Sequence, residues 1–194
     1  DNALVKRHER DIFPLMKKRY LFAGVDQFRL YDFWASDRSV NEDVFAYSNR
    51  FTASSGTEER ALVIYHNTFA EAKGWIRSSV GYIDKQIDNK ALQQTTLGDA
   101  LGLHHDDDYF TIFHDLATGQ EFIRSSKDLC ERGMYVELGA YKCHVFMDIR
   151  EVVNDAERPY AELNARLDGR GVPSIEQELT LMKIAPITRA FKHL

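Results

Sequence analysis

The run Tyr141-Lys-Cys-His-Val-Phe-Met-Asp-Ile149 puts Tyr141, Cys143, Val145, Met147 and Ile149 at every second position, with Lys142, His144 and Asp148 between them. A period of two is the signature of a strand with one buried face, and it cannot lie along one side of a helix. The run follows Met134-Tyr-Val-Glu-Leu138 across Gly139-Ala140. That spacing predicts a hairpin from Met134 to Ile149, with Val145 and Met147 on the core and Lys142 and His144 short of its centre. Shorter runs repeat the pattern. Val44–Phe51 sets Phe45, Tyr47, Asn49 and Phe51 against smaller residues, and Arg60–Asn67 is an apolar run suited to a strand buried on both faces. With the turn-like segment 52–57 between them, the two predict a hairpin. Gly74–Ile83 reads as a third strand and Ala91–Thr96 as a fourth, and Tyr109–His114 pairs naturally with Glu121–Arg124. Many short strands punctuated by turns predict a mainly β chain, an antiparallel β-sandwich.

Helices are expected at both ends. Asn2 to about Arg10 reads helical, with Leu4, Val5, Ile12 and Phe13 on one side, until Pro14 ends or kinks it; Leu15–Phe22 follows and stops at Gly24. The aromatic-dense run Phe28–Trp34 has no clean period, as if packed between two elements. Ser126 is the expected N-cap of a single helical piece ending at Gly133. After Val153 the polar stretch Asn154–Pro159 breaks the sheet, and helices are predicted for Tyr160–Leu167 and from Ser174, where Gln177 three residues on fits a capping box. The expected organisation is an N-terminal helical and aromatic segment over 1–39, a sandwich over 40–153 and a helical extension over 154–194.

Composition narrows the partners. With 44% hydrophobic and 12% aromatic residues in 194, the chain can bury a large core. A formal net charge of −5 argues against holding a phosphate backbone, so nucleic acid is not an expected partner. No apolar run reaches the ~20 residues that span a bilayer, so no membrane partner is expected. The start, Asp1-Asn-Ala-Leu-Val5, has neither an initiator Met nor a signal-peptide core, which suggests a piece of something longer. Two cysteines, Cys130 and Cys143, make no disulfide framework; both are expected reduced, a single bridge between them staying open, and the cytoplasm fits.

His104-His-Asp-Asp-Asp108 attracts the eye first. His104, His105 and Asp106 are candidate ligands for a divalent cation, although consecutive residues seldom point at one centre and a solvated loop is the plainer reading. Asn41-Glu-Asp43 and Glu58-Glu59 hold neighbouring acids, but glycosidic chemistry needs two carboxyls at a fixed separation across a bond, which sequence spacing does not supply. His66, His114 and His144 fall on expected strands. Ser48 or Ser78 lacks a G-x-S-x-G elbow, and no phosphate loop or dinucleotide fingerprint occurs. No catalytic residue and no cofactor is therefore assigned. Among Trp34, Trp75, Tyr47, Tyr65, Tyr82 and Tyr109, an exposed pair would offer flat faces to sugar rings, and Trp34 and Trp75 are the candidates; packing in a core or interface is the commoner use of such residues.

Three stretches carry a resemblance. Lys18-Arg-Tyr-Leu-Phe-Ala-Gly-Val-Asp-Gln-Phe-Arg-Leu-Tyr-Asp-Phe33 with Val40–Phe51, then Glu59–Asn67 with Gly74-Trp-Ile-Arg77, then Gly133–Phe146, together resemble the region after the catalytic barrel in bacterial alpha-amylase-family glycosidases. The resemblance covers most of the chain and implies a C-terminal β-sandwich. That family's catalytic carboxylates lie on a (β/α)₈ barrel of about 250 residues, and no segment here matches the barrel's motifs, so none is carried over. What the resemblance implies is a non-catalytic C-terminal accessory domain whose partner is the catalytic barrel of the same polypeptide. The rivals are a carbohydrate-binding module that holds α-glucan on Trp34 or Trp75, and a stand-alone enzyme using His and Asp residues around His104. A surface left bare by separation from a barrel would also favour a homodimer through the N-terminal segment, where Phe13, Leu15, Phe22, Phe28 and Trp34 gather.

Overall fold

The computed structural model describes residues 2, 5, 6, 9, 13–84 and 91–191, without the side chains of 15 and 186–191. Leu4 and Ile12 of the expected first helix lie outside the described residues. Along the described chain come α1 (Phe13–Lys17), a 3-10 turn (Arg19–Phe22), β1 (Arg29–Ala35), β2 (Val44–Thr52), β3 (Glu58–His66), β4 (Ala72–Ser79), β5 (Tyr82–Ile83) and β6 (Leu92–Gln93). Next are α2 (Leu97–Leu101), β7 (Tyr109–Asp115), β8 (Gln120–Ser125), α3 (Ser126–Glu131), β9 (Met134–Leu138), β10 (Cys143–Val153), α4 (Tyr160–Leu167) and α5 (Ile175–Phe191).

Eight strands form one antiparallel sheet in the order β8-β7-β10-β3-β2-β1-β4-β9, and β5 pairs with β6 apart from it. The chain is thus mainly β, antiparallel and flanked by helices, as its periodicity predicts. At ~4.8 Å between strands, eight flat strands would span about 34 Å. Yet Val136 on one edge strand and Phe113 beside the other belong to a single buried cluster. The sheet therefore curls over on itself, and its two halves face each other like the layers of a sandwich. The inner face is filled by Phe33, Leu62, Ile64, Ile76 and Phe146 from the strands and by Leu97, Leu101 and Leu129 from α2 and α3. On the outer face, α4 and α5 cover Phe110, Ile112 and Ile123 with Tyr160, Leu163 and Leu179, while the 3-10 turn sets Leu21 over Ala61 and Met147.

The structure corrects the expected hairpin from Met134 to Ile149. β9 pairs with β4, and β10 lies between β7 and β3, so the two are not hydrogen-bonded neighbours. A short loop ordinarily joins adjacent strands. Here residues 139–142 instead carry the chain from one side of the curl to the other, with His66 Nδ1 against Gly139 O and Tyr141 N–H on Thr68 O. Gly133 shows why β9 docks where it does. It follows α3 at φ +77°, and a Cβ there would lie 2.0 Å from Ile76 O, so the incoming chain presses directly on the β4 backbone. The face assignment changes too: Val145 and Met147 pack on the outer face under the 3-10 turn, whereas Phe146 and Ile149 enter the main core. A bulge at Asp148, at φ +48° with a register shift between Met147 and Arg150, reverses the alternation and puts Ile149 on the face opposite Met147.

Phe28–Trp34 also departs from its expected role. It supplies β1, an interior strand between β2 and β4, with Tyr31 and Phe33 inward and Leu30 and Trp34 outward. The missing signal has a physical cause, because the outward Leu30 and Trp34 are apolar as well, which hides the period of two. The stretch Gly74–Ile83 splits into β4 and the short β5, and Ala91–Thr96 contributes only Leu92–Gln93. Pro14 sits inside the first turn of α1, where its missing N–H costs nothing. Ser125, not Ser126, caps α3, accepting from Asp128 N–H at 3.2 Å; Ser126 is buried against Thr111. Other expectations hold: β2 pairs with β3, β7 with β8, α4 spans Tyr160–Leu167, and Gln177 N–H reaches Ser174 Oγ.

Candidate functional site

Pairing register builds a row of aromatic rings on the outer face. Trp34 of β1 stands opposite Trp75 of β4, and Trp75 stands opposite Tyr135 of β9. Residues directly opposed on adjacent strands share a face, so the three rings cross the sheet side by side, over about 10 Å at the usual strand spacing. Trp34 and Tyr135 are exposed at 39% and 41%, and Trp75 is half-buried between them. The Trp75 and Tyr135 centroids lie 5.4 Å apart with the rings tilted by 58°. The Arg77 guanidinium sits 5.1 Å from the Trp75 ring. Tyr135 donates its hydroxyl to Glu137, which Lys73 also pairs; these contacts hold the Glu137 carboxyl below its ordinary range.

The row borders a cavity of about 810 Å³ lined by Trp34, Trp75, Arg38, Arg77, Ser78 and Gln94. One rim is a braced turn. Asp37 Oδ1 accepts from both the N–H and the hydroxyl of Ser39, and these bonds hold its carboxyl below the usual range. Arg38 takes φ +68° at the tip, and the chain returns as Val40 bridges back to Trp34. Flat apolar faces bordered by guanidinium, amide and hydroxyl groups suit a ligand with apolar C–H faces and many hydroxyls at its rim. Phe45 and Tyr65, opposite one another on β2 and β3, are exposed on the same outer face.

The structure separates the expected metal ligands. His104 turns to Glu151, its Nδ1 2.9 Å from Oε2, and stacks on Tyr109 at 4.1 Å. His105 points the other way, with Nε2 2.8 Å from Asp99 Oδ1. Asp106 lies exposed in the loop, its carbonyl accepting from Tyr109 N–H. Cys130 lies in α3 and Cys143 at the start of β10, and they are not joined.

Glu58 and Glu59, neighbours at the start of β3, take different partners. Glu59 is held by Lys18 and Tyr20, and Glu58 pairs with Arg60 at 3.0 Å. His66 is fully buried, with Nδ1 on Gly139 O and Nε2 unmatched. His144 lines a cleft of about 480 Å³ between the edges of β8 and β9, its Nδ1 2.9 Å from the buried Asp115 and its ring stacked on Phe146. No helix among the described residues is long and apolar enough to cross a membrane.

No family model, curated protein or solved structure matches this chain. The site itself must carry the functional argument. Sequence reading singled out Trp34 and Trp75, and the register brings them together. It missed Tyr135 and Arg77. Tyr135 alternates with Met134 and Val136, which identifies an outward ring on a strand, but only the pairing of β9 with β4 sets it beside Trp75.

Proposed function

We propose that this chain is a non-catalytic accessory domain of an alpha-amylase-like glycosidase and that it holds α-glucan on the row Trp34–Trp75–Tyr135. The observation that carries this reading is the direct opposition of Trp34 and Trp75 on an exposed face, with Arg77 and Arg38 beside them. A pyranose presents an apolar face of C–H bonds to a ring and leaves its hydroxyls to side groups, and guanidinium donors suit those hydroxyls. The glycosidase link rests on the resemblance of residues 18–33, 40–51, 59–67, 74–77 and 133–146.

Titration calorimetry with maltoheptaose tests the sugar claim. The intact chain should bind, and Trp34→Ala and Trp75→Ala should each weaken binding about tenfold or more, ~1.4 kcal/mol. Neither ring is fully buried, so unfolding temperatures should change little and separate lost binding from lost fold. If the intact chain binds neither maltoheptaose nor glycogen, the proposal fails; equal binding to cello-oligosaccharides would remove the α-glucan assignment.

A second role has its own observation. Val25 is 71% exposed, and Met16, Phe13 and Tyr20 also stand in solvent along the N-terminal segment. Together with a cavity of about 760 Å³ lined by Tyr20, Phe22, Tyr47, Val63 and Val145, they form an apolar surface suited to a protein partner. The catalytic barrel of the same polypeptide is the partner this reading assigns, with self-association when the domain stands alone. Light scattering over a concentration series should show a dimer that Met16→Asp with Val25→Asp converts to a monomer. A strictly monomeric intact chain would contradict that role.

A further inference from the structure

We propose that Asp99, His105 and Cys130 form a binding site for a divalent ion of the zinc type, with one coordination position left for water or a ligand. The three side chains come from α2, the following loop and α3, and their donor atoms all lie within 4.8 Å of one another. This set differs from the run of adjacent residues that sequence suggested, since His105 is its only common member.

The convergence is built from the backbone outward. Thr96 caps α2, its Oγ1 accepting from Asp99 N–H at 3.1 Å and donating to Asp99 Oδ2 at 2.7 Å. Oδ1 is thereby directed at His105 Nε2, 2.8 Å away. A ligating carboxylate is commonly oriented in this way, by a hydrogen bond to the oxygen that does not face the ion. Gly98 brings the sulfur in: a Cβ there would lie 2.3 Å from Cys130 Sγ and 2.7 Å from Cys130 Cα, so the two helices meet at a distance only glycine permits. The neighbouring His104 is held on Glu151 and Tyr109, which anchors the start of the loop and leaves His105 to turn back on α2.

Ligand chemistry chooses the ion. One thiolate, one imidazole and one carboxylate suit a borderline-soft, four-coordinate ion, whereas calcium and magnesium prefer oxygen sets. Zinc–ligand bonds of about 2.0–2.3 Å bring donors to roughly 3–4 Å of each other, within a small side-chain adjustment of the geometry seen. Cys130 binds as thiolate, its proton released to solvent as the ion enters. Asp99 binds as carboxylate, and His105 binds through the Nε2 lone pair, the proton that Nε2 shared with Asp99 passing by way of solvent to Nδ1, so that their hydrogen bond is exchanged for two bonds to the ion.

Cobalt(II) is the probe, because thiolate ligation gives a near-ultraviolet charge-transfer band and four-coordination gives intense visible bands. Titrating the full chain with cobalt should raise both at one ion per chain, and zinc should bleach them. Cys130→Ser should abolish the charge-transfer band. His105→Ala should weaken the affinity about tenfold or more; since His105 is exposed, that variant keeps the test valid even if Cys130→Ser unfolds. His104→Ala and Cys143→Ser should leave the spectrum unchanged. Absence of the charge-transfer band in the intact chain, its survival in folded Cys130→Ser, or an unaltered affinity in His105→Ala would each overturn the site.

Discussion

Phe33→Ala is expected to cost about 3–5 kcal/mol, a large part of the roughly 5–15 kcal/mol that holds a domain of this kind together. Phe33 is fully buried in β1, at the middle of the cluster that joins the strands to α2 and α3. Ile76 stands opposite it on β4, and Tyr31 and Leu62 share its buried cluster, so the vacated volume lies among side chains whose backbones the sheet's hydrogen bonds hold in place. Chemical denaturation should show a much lower midpoint with an unchanged slope. A loss under about 1 kcal/mol would mean that the inner face is loosely packed and that the curl is held by other contacts.

The second large effect belongs to Asp115, whose side chain is wholly buried at the end of β7. Its carboxylate receives His144 Nδ1 at 2.9 Å, Val145 N–H at 2.9 Å, Ala117 N–H at 3.1 Å and the Thr118 hydroxyl at 2.8 Å. It thus closes the β7–β8 turn and ties that turn to β10. Asp115→Ala leaves the partly buried donors of His144 and Val145 without their acceptor and frees the turn at Ala117 and Thr118, and should cost about 1–3 kcal/mol. The same site makes a pH prediction. Burial alone pushes the carboxyl up, but the bonds from His144, Val145 and Thr118 outweigh it and hold the folded-state value below the ordinary one. A depressed carboxyl contributes stability that is full above its unfolded value of about 3.9 and is lost as pH falls through the folded value. Unfolding temperature should therefore drop as pH goes below about 4, and Asp115→Asn should flatten that drop while lowering stability at neutral pH. An identical acid profile in the two proteins would show that other carboxyls govern it.

How much of this was legible differs from element to element. The β2–β3 hairpin, the β7–β8 pairing and the α4 span were readable because local sequence decides them: alternation sets the faces, short turns set the neighbours, and Pro159 with Asp168 at φ +44° bounds the helix. β1 was not readable, because a strand covered on one face by the core and edged by aromatics on the other shows no alternation. Trp34 and Trp75 were visible as candidates, whereas the sequence holds nothing that says they are opposed, since β1 and β4 are separated by two other strands along the chain.

Sequence by itself determined that this is a mainly β chain with helical ends, and which residues could carry chemistry. Those properties depend on periods of two and 3.6 and on turn residues, all local. Tertiary structure alone decided that β9 joins β4 while β10 joins β3 and β7, that Tyr135 completes the row begun by Trp34 and Trp75, and that His105 meets Asp99 and Cys130 instead of His104 and Asp106. The physical reason is the curl. Closing the sheet over α2 and α3 brings together residues far apart in the chain, and that choice is made by the shape and volume of the shared core, which no single segment contains.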